Sequence, residues 1–301
     1  MMSHDTESTR AARRNRIGVH AQVWVGGWSR EAATYAVTES AAAGFDLIEI
    51  PAGDVPHFDV AHTAKLLADT GIGAVLSLAL PADGDIASED TARVARGEQL
   101  LTAAVDLAAE LGLDYVGGVT YSKMGLSAHP ASPRARANSQ AVLGRVAARA
   151  AASNVSIGLE YVNRYESNLL NTAADTVAFI REIGADNLRV HIDTFHANTE
   201  ERSQAAAVRD SGDLLAYVHA GENHRGRLGS GSIDWSSFFA SLATSGFSGP
   251  ITFESFSDAV LDDTISHPLG LWRTPWRDAR ATARQAREFI AAQLDAAAPS
   301  S

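Results

Sequence analysis

Glu160, Asp193, His219 and Glu254 each close a short apolar run: Gly-Leu-Glu160, His-Ile-Asp193, Tyr-Val-His219 and Thr-Phe-Glu254. They are separated by 33, 26 and 35 positions (193 minus 160, 219 minus 193, 254 minus 219), about the length of one strand, loop and helix. One such residue per βα unit is how an eight-stranded barrel assembles a site at the C-terminal ends of its strands. Crowding three carboxylates into one mouth costs several kcal/mol unless they are paired or bound to a cation. A divalent metal is the simplest compensation. Three carboxylates and one imidazole are hard donors suited to manganese, with cobalt or magnesium next. The chain contains no cysteine, which excludes a thiolate site and a disulfide framework. Taken singly, each carboxylate reads as a salt-bridged strand end, and His219 as a hydrogen-bonded core histidine. Four at corresponding strand ends favour the metal.

The elements needed to position them follow in order. Strands are expected at 17–24, 46–50, 72–80, 115–121, 156–162, 188–192, 215–218 and 250–253. Helices are expected at 29–43, 60–69, 89–111, 132–152, 172–183 and 235–245, with the last between 276 and 294. Ser132-Pro133 reads as an N-cap followed by proline in the first turn, and Gly44, Gly71, Gly112 and Gly184 read as helix stops. Strands alternating with helices imply a parallel sheet covered on both faces. A single (β/α)8 TIM barrel over 17–296 is the economical fold, flanked by a disordered polar tail at 1–16 and a flexible end at 297–301. An open doubly wound sheet would lead us to expect a glycine-rich phosphate turn after an early strand, and none is present.

Bulk properties narrow the function. The net charge of -11 argues against a grip on nucleic-acid backbones, and Arg10, Arg13, Arg14 and Arg16 read as a solvated cluster in the tail. No run approaches the roughly 18 to 20 apolar residues of a membrane span, and the first 16 residues carry no apolar h-region. The expectation is a cytoplasmic enzyme without an organic cofactor.

Linked motifs extend around the four residues: Leu-Glu160-x-x-Asn163-Arg164-Tyr-Glu166, Asp193-Thr-Phe-His196-x-Asn198-x-Glu200-Glu201, His219-x-Gly-Glu222-x-x-Arg225-Gly and Gly249-Pro-Ile-x-Phe-Glu254-Ser-Phe256. In this order they resemble the ketose 3-epimerases, the D-tagatose and D-allulose enzymes of the xylose isomerase-like barrels, over nearly the whole chain from Ile17. The resemblance implies that Glu160, Asp193, His219 and Glu254 bind one ion, manganese or similar, which holds and polarises the carbonyl of a keto sugar. It also implies that Glu160 and Glu254 exchange a proton on opposite faces of the carbon beside that carbonyl, through an enediolate. Glu166, His196 and Arg225 would hold sugar oxygens. A homodimer or homotetramer is implied as well.

Some residues depart from the pattern. Ala197 and Thr199 stand where larger apolar residues are usual, which suggests a wider pocket edge. His129, beside Pro130, falls in a loop over the mouth and could serve as an extra acid or base. Trp24 and Trp28 after strand one, and Trp272 and Trp276 after strand eight, would either wall the pocket or pack adjacent loops or an interface. Tyr121 is open in the same way. These features suit an alternative on the same barrel, the α subunit of a C-glycoside deglycosidase, which acts on 3-keto C-glucosides with a β-subunit partner. A sugar-binding barrel without chemistry is a third reading, opposed by the intact pair Glu160 and Glu254.

Overall fold

The computed structural model describes residues 15–298, so the expected tail and flexible end fall, apart from 15–16 and 297–298, outside the described residues. Eight parallel strands close into one barrel in sequence order. They are β1 Ile17–His20, β2 Leu47–Pro51, β3 Gly73–Ser77, β4 Tyr115–Gly117, β5 Ser156–Glu160, β6 Leu188–Asp193, β7 Leu215–Ala220 and β8 Ile251–Phe253. Around them lie α1 Arg30–Ala42, α2 Val60–Thr70, α3 Thr91–Glu110, α4 Pro133–Ala151, α5 Ala173–Ile183, α6 Thr194–Glu200, α7 Gln204–Ser211, α8 Trp235–Ser245, α9 Asp263–Ser266 and α10 Ala279–Ala297. None of the described helices is long and apolar enough to cross a membrane.

Alternation along each strand sorts its side chains. In β2, Ile48 and Ile50 join the large core between barrel and helices, while Leu47 packs inside the barrel with Val75, Tyr115 and Tyr217. Helix entry is set by side chains that accept an otherwise unpaired backbone N–H: Ser29, Asp59, Asp90, Ser132, Thr172 and Asp234 all do so. Helix α5 stops at Gly184, which takes the left-handed conformation at φ 74° that a side chain would strain.

The hydrogen-bonded strands are shorter than the apolar runs suggest. The run 17–24 ends its ladder at His20, whose Nδ1 accepts the Gln22 N–H at 3.2 Å and opens a 3-10 turn over Ala21–Val23. The run 115–121 leaves the strand at Gly118, where φ is 105°, yet extended pairing persists beside it through Leu80 N–H to the Val119 carbonyl at 3.1 Å. Helices α6 and α7 were not expected. Both are short, and α6 starts directly on the last residue of β6, so no polar linker announces it. Ahead of β1, Asn15 donates to the Phe247 and Gly249 carbonyls at 3.1 and 2.8 Å.

One contact secures the loop after β3. Gly97, buried within α3, lies against the Gly84 carbonyl and Ile86, so an added Cβ would collide with both. Intrinsic propensity favours alanine over glycine in a helix by about 1 kcal/mol. Overpacking a fixed backbone atom costs about 1–3 kcal/mol. Gly97→Ala should therefore lower the thermal unfolding midpoint by several degrees, measured by calorimetry; an unchanged or raised midpoint would show that the 82–84 turn does not rest on this contact.

Candidate active site

Glu160 is the last residue of β5, Asp193 the last of β6, His219 lies near the end of β7, and Glu254 follows β8 directly. Ladder register places Asp193 beside His219, and the Glu254 N–H bonds the Ala220 carbonyl at 3.2 Å. Topology alone thus brings the four to one mouth, where one atom of each lies within 4.8 Å of the others. All four are buried, at 6, 0, 1 and 8% exposure. His219 Nδ1 lies 3.3 Å from Glu160 Oε1 and 3.3 Å from Glu254 Oε1.

Asp193 has a divided task. Its Oδ1 accepts the Phe195 N–H at 2.8 Å and caps α6, whereas the buried Oδ2 has no hydrogen-bond partner among the described residues. An acceptor-only oxygen left in this state is costly. Burial, with Asp193 and Glu160 adding repulsion, pushes the Glu254 carboxyl well above the ordinary carboxylate range. Burial is the largest influence and opposes ionisation of Glu160, but the His219, His191 and His196 charges together with the His219 hydrogen bond outweigh it and hold that carboxyl low. His219 rises despite burial because carboxylates surround it, Glu49 foremost. The group has more negative charge than its own cations satisfy. Its orphaned oxygen and hard donor set therefore fit a divalent cation.

Glu166, His196 and Arg225 line the same cavity, whose volume is about 700 Å³. Glu166 Oε1 accepts from Asn163 Nδ2 at 2.9 Å, leaving a buried Oε2 with no hydrogen-bond partner among the described residues. His196 Nδ1 accepts the Asn163 N–H at 3.2 Å, while its Nε2 lies 3.4 Å from Arg225 Nη2 and 3.6 Å from Asp193 Oδ2. Arg225 donates to Glu254 Oε2 at 3.1 Å, its guanidinium 4.0 Å from the ring centre of Phe195 and 4.7 Å from that of Phe256. Its backbone is left-handed at φ 55°, a conformation that costs on the order of 1–3 kcal/mol. The Glu222 carbonyl and Ser255 hydroxyl hold it there. Glu222 is buried outside the cavity; its carboxylate accepts from Gly229 N–H and Trp235 Nε1–H and anchors the loop that carries Arg225.

Other expected residues stand elsewhere. His129 is exposed and does not line the cavity; its carbonyl is tied down by Asn168 at 2.8 Å. Ala197 is buried in α6 and Thr199 is exposed, and neither lines the cavity, so their size does not widen its edge. The tryptophans do not wall the cavity either. Trp24 is buried, Trp28 stacks on Phe58, Trp276 donates to Ser255 Oγ at 2.7 Å, and Trp272, 75% exposed, lies against His267. Tyr121 is fully buried, donating to the Leu170 carbonyl at 3.1 Å. The apolar lining comes instead from Leu78, Leu80, Met124, Phe256, Ile265 and Leu269.

Three inward residues were missed: His20, Glu49 and the buried His191, which groups with Glu160 and His219 as a second candidate ligand set. His20, the last residue of β1, and Glu49, in the middle of β2, pair in register, both buried, both lining the cavity. A glutamate inside Leu-Ile-Glu-Ile was the available signal, since a charge in a strand buried on both faces needs a partner.

Residues 37–293 match the family described as the xylose isomerase-like TIM barrel. The chain is 43% identical to a ketose 3-epimerase of Arthrobacter globiformis over 281 residues, covering 93% of this chain and 97% of that one. It is 45% identical to an L-ribulose 3-epimerase of Methylomonas sp. (strain DH-1) over 278 residues, covering 92% and 97%. Among solved structures, D-allulose 3-epimerase from Methylomonas sp. in complex with D-allulose superposes with a TM-score of 0.91 at 44% identity, covering 93% of this chain and 98% of that one. Barrel, mouth and relatives agree: the chain belongs to the ketose 3-epimerases, isomerases of the xylose isomerase-like TIM-barrel family.

Proposed function

We propose that this chain epimerises a free ketose at C3 with the help of one divalent cation, manganese before cobalt or magnesium. The observation that carries the reading is the convergence of two buried glutamates, Glu160 and Glu254, on one side of His219 in a single cavity. Glu160, Asp193, His219 and Glu254 would hold the cation. When bound, it would supply Lewis-acid polarisation of the sugar carbonyl.

The chain's own residues account for the rest. Glu160 and Glu254 arrive from strands separated by β6 and β7, so a sugar carbon lying between them meets one carboxylate on each face. One removes the C3 proton to give a planar enediolate, and the other returns a proton to the opposite face. For the reverse reaction they exchange tasks. The Arg225 guanidinium keeps Glu254 within reach of a positive partner as its charge changes. Glu166 Oε2, His196 Nε2 and Arg225 would hold hydroxyls and fix the face presented. The Leu78, Leu80 and Leu269 side excludes water but offers few hydrogen bonds. Its tolerance would admit more than one ketose, in keeping with relatives named for L-ribulose and D-allulose. The deglycosidase alternative loses its support, because His129 and the tryptophans lie outside the cavity. Family resemblance also suggests a homodimer or homotetramer.

Activity should be seen as interconversion of D-fructose with D-allulose, and of D-tagatose with D-sorbose, by manganese-supplied protein; failure on every free ketose tested would reject the assignment. Glu160→Gln and Glu254→Gln should each reduce turnover by about 10²–10⁴, since each removes a proton carrier and a ligand. Near-normal turnover in either would sink the two-glutamate scheme. Chelator-treated protein should lose activity and regain it with manganese, saturating at one ion per chain. The same ion should raise the unfolding midpoint, since a ligand at 100 times its Kd stabilises by about 2.7 kcal/mol. No shift, or an equal shift in Asp193→Ala, would place the ion elsewhere.

A further inference from the structure

We infer that Glu49 is a positioning residue that sets the proton of His219 and thereby turns the other ring nitrogen's lone pair toward the cation. The inference rests on the metal reading of the site. It concerns a residue on the opposite side of the imidazole from Glu160 and Glu254.

Glu49 is 1% exposed and faces the barrel interior from β2, the same side as Leu47. Stability alone does not explain a carboxylate there, because a well-packed apolar side chain commonly replaces a buried ion at no loss. Its hydrogen bond is to His219: Oε2 lies 2.7 Å from Nε2. A carboxylate only accepts, so a neutral His219 keeps its proton on Nε2. Nδ1 is left with its lone pair, facing Glu160 Oε1 and Glu254 Oε1, both at 3.3 Å. With the proton on Nδ1 instead, the ring would donate to those carboxylates and could not be a ligand on that side.

A second histidine flanks Glu49 at ion-pair rather than hydrogen-bond distance, its Nε2 also 3.4 Å from Ser77 Oγ. His20 Nδ1 accepts the Gln22 N–H, so neutral His20 carries its proton on Nε2, 3.7 Å from Glu49 Oε1. His20 and Glu49 are register partners on adjacent strands. The backbone N–H of Gln22 thus fixes His20, His20 faces one oxygen of Glu49, and the other oxygen fixes His219. Carboxylate–histidine–metal relays of this kind orient the ligand and raise its basicity, and losing the outer carboxylate weakens metal binding by about 10–100-fold.

The test is Mn²⁺ titration of chelator-treated wild type and Glu49→Gln by calorimetry. Glutamine keeps the shape but can turn its amide to donate to Nε2, which reverses the tautomer. Mn²⁺ affinity should fall at least tenfold, while the metal-free variant keeps its circular dichroism and unfolding midpoint and the sugar KM at saturating Mn²⁺ stays within twofold. Affinity within twofold of wild type would overturn the role. A measurement without any variant runs beside it: in Mg²⁺-loaded, ¹⁵N-histidine-labelled wild type, NMR should show the His219 proton on Nε2. A proton on Nδ1 overturns the inference even if Glu49→Gln fails to fold. Wild type that binds neither ion would remove the centre itself, a failure distinguishable from wild type and variant binding alike.

Discussion

Mutual repulsion among Glu160, Asp193 and Glu254, buried together around one imidazole, is the constraint on which the rest of the mouth depends. Carboxylates desolvated to this degree carry penalties of several kcal/mol each. The chain meets part of the demand itself. Arg225 serves Glu254, the Phe195 N–H serves Asp193, and His219 lies between Glu160 and Glu254. What is left over is concentrated at Asp193 Oδ2 and in the elevated Glu254 carboxyl, where a cation would sit. A site that is unsatisfied without its ion and satisfied with it is well suited to selecting for the loaded state.

The barrel converts that constraint into geometry. Parallel register sets Asp193 beside His219 and carries Glu254 one residue beyond β8, so the positions depend on ladder hydrogen bonds rather than on flexible loops. Loops enter where substrate would be gripped under the proposed function. Arg225 occupies a left-handed turn, anchored through the buried Glu222, and this local cost is tolerated because it holds a guanidinium between two aromatic rings and against Glu254. Glu166 and His196, the proposed sugar contacts, are both oriented by Asn163, so one amide positions two side chains.

Much of this was legible in the sequence, for identifiable reasons. The metal-ligand candidates stood at strand ends because apolar runs bury strands on both faces and leave chemistry to their termini. Eight strand signals were enough for closure, since each was followed by a helix or turn signal. The strand lengths were not legible: hydrophobicity continues past Gly118 and His20, but backbone conformation changes there. Nor was the orientation of the loop residues. The sequence near His129 and the tryptophans looks the same whether those side chains face the cavity or pack on neighbouring loops, and the packing decides it. Glu49 and His20 were hidden because each is a single polar residue in an apolar run, and only the barrel's closure brings β2 opposite β7.

The most direct measurement of the central claim, proton exchange at C3 between two opposed glutamates, is proton NMR of a ketose turned over in D₂O by the manganese-supplied protein. The account predicts one deuteron at C3 of the product epimer, none at C1, appearing at the rate of epimerisation. Epimerisation without deuterium at C3, or with deuterium entering at C1 instead, would contradict it.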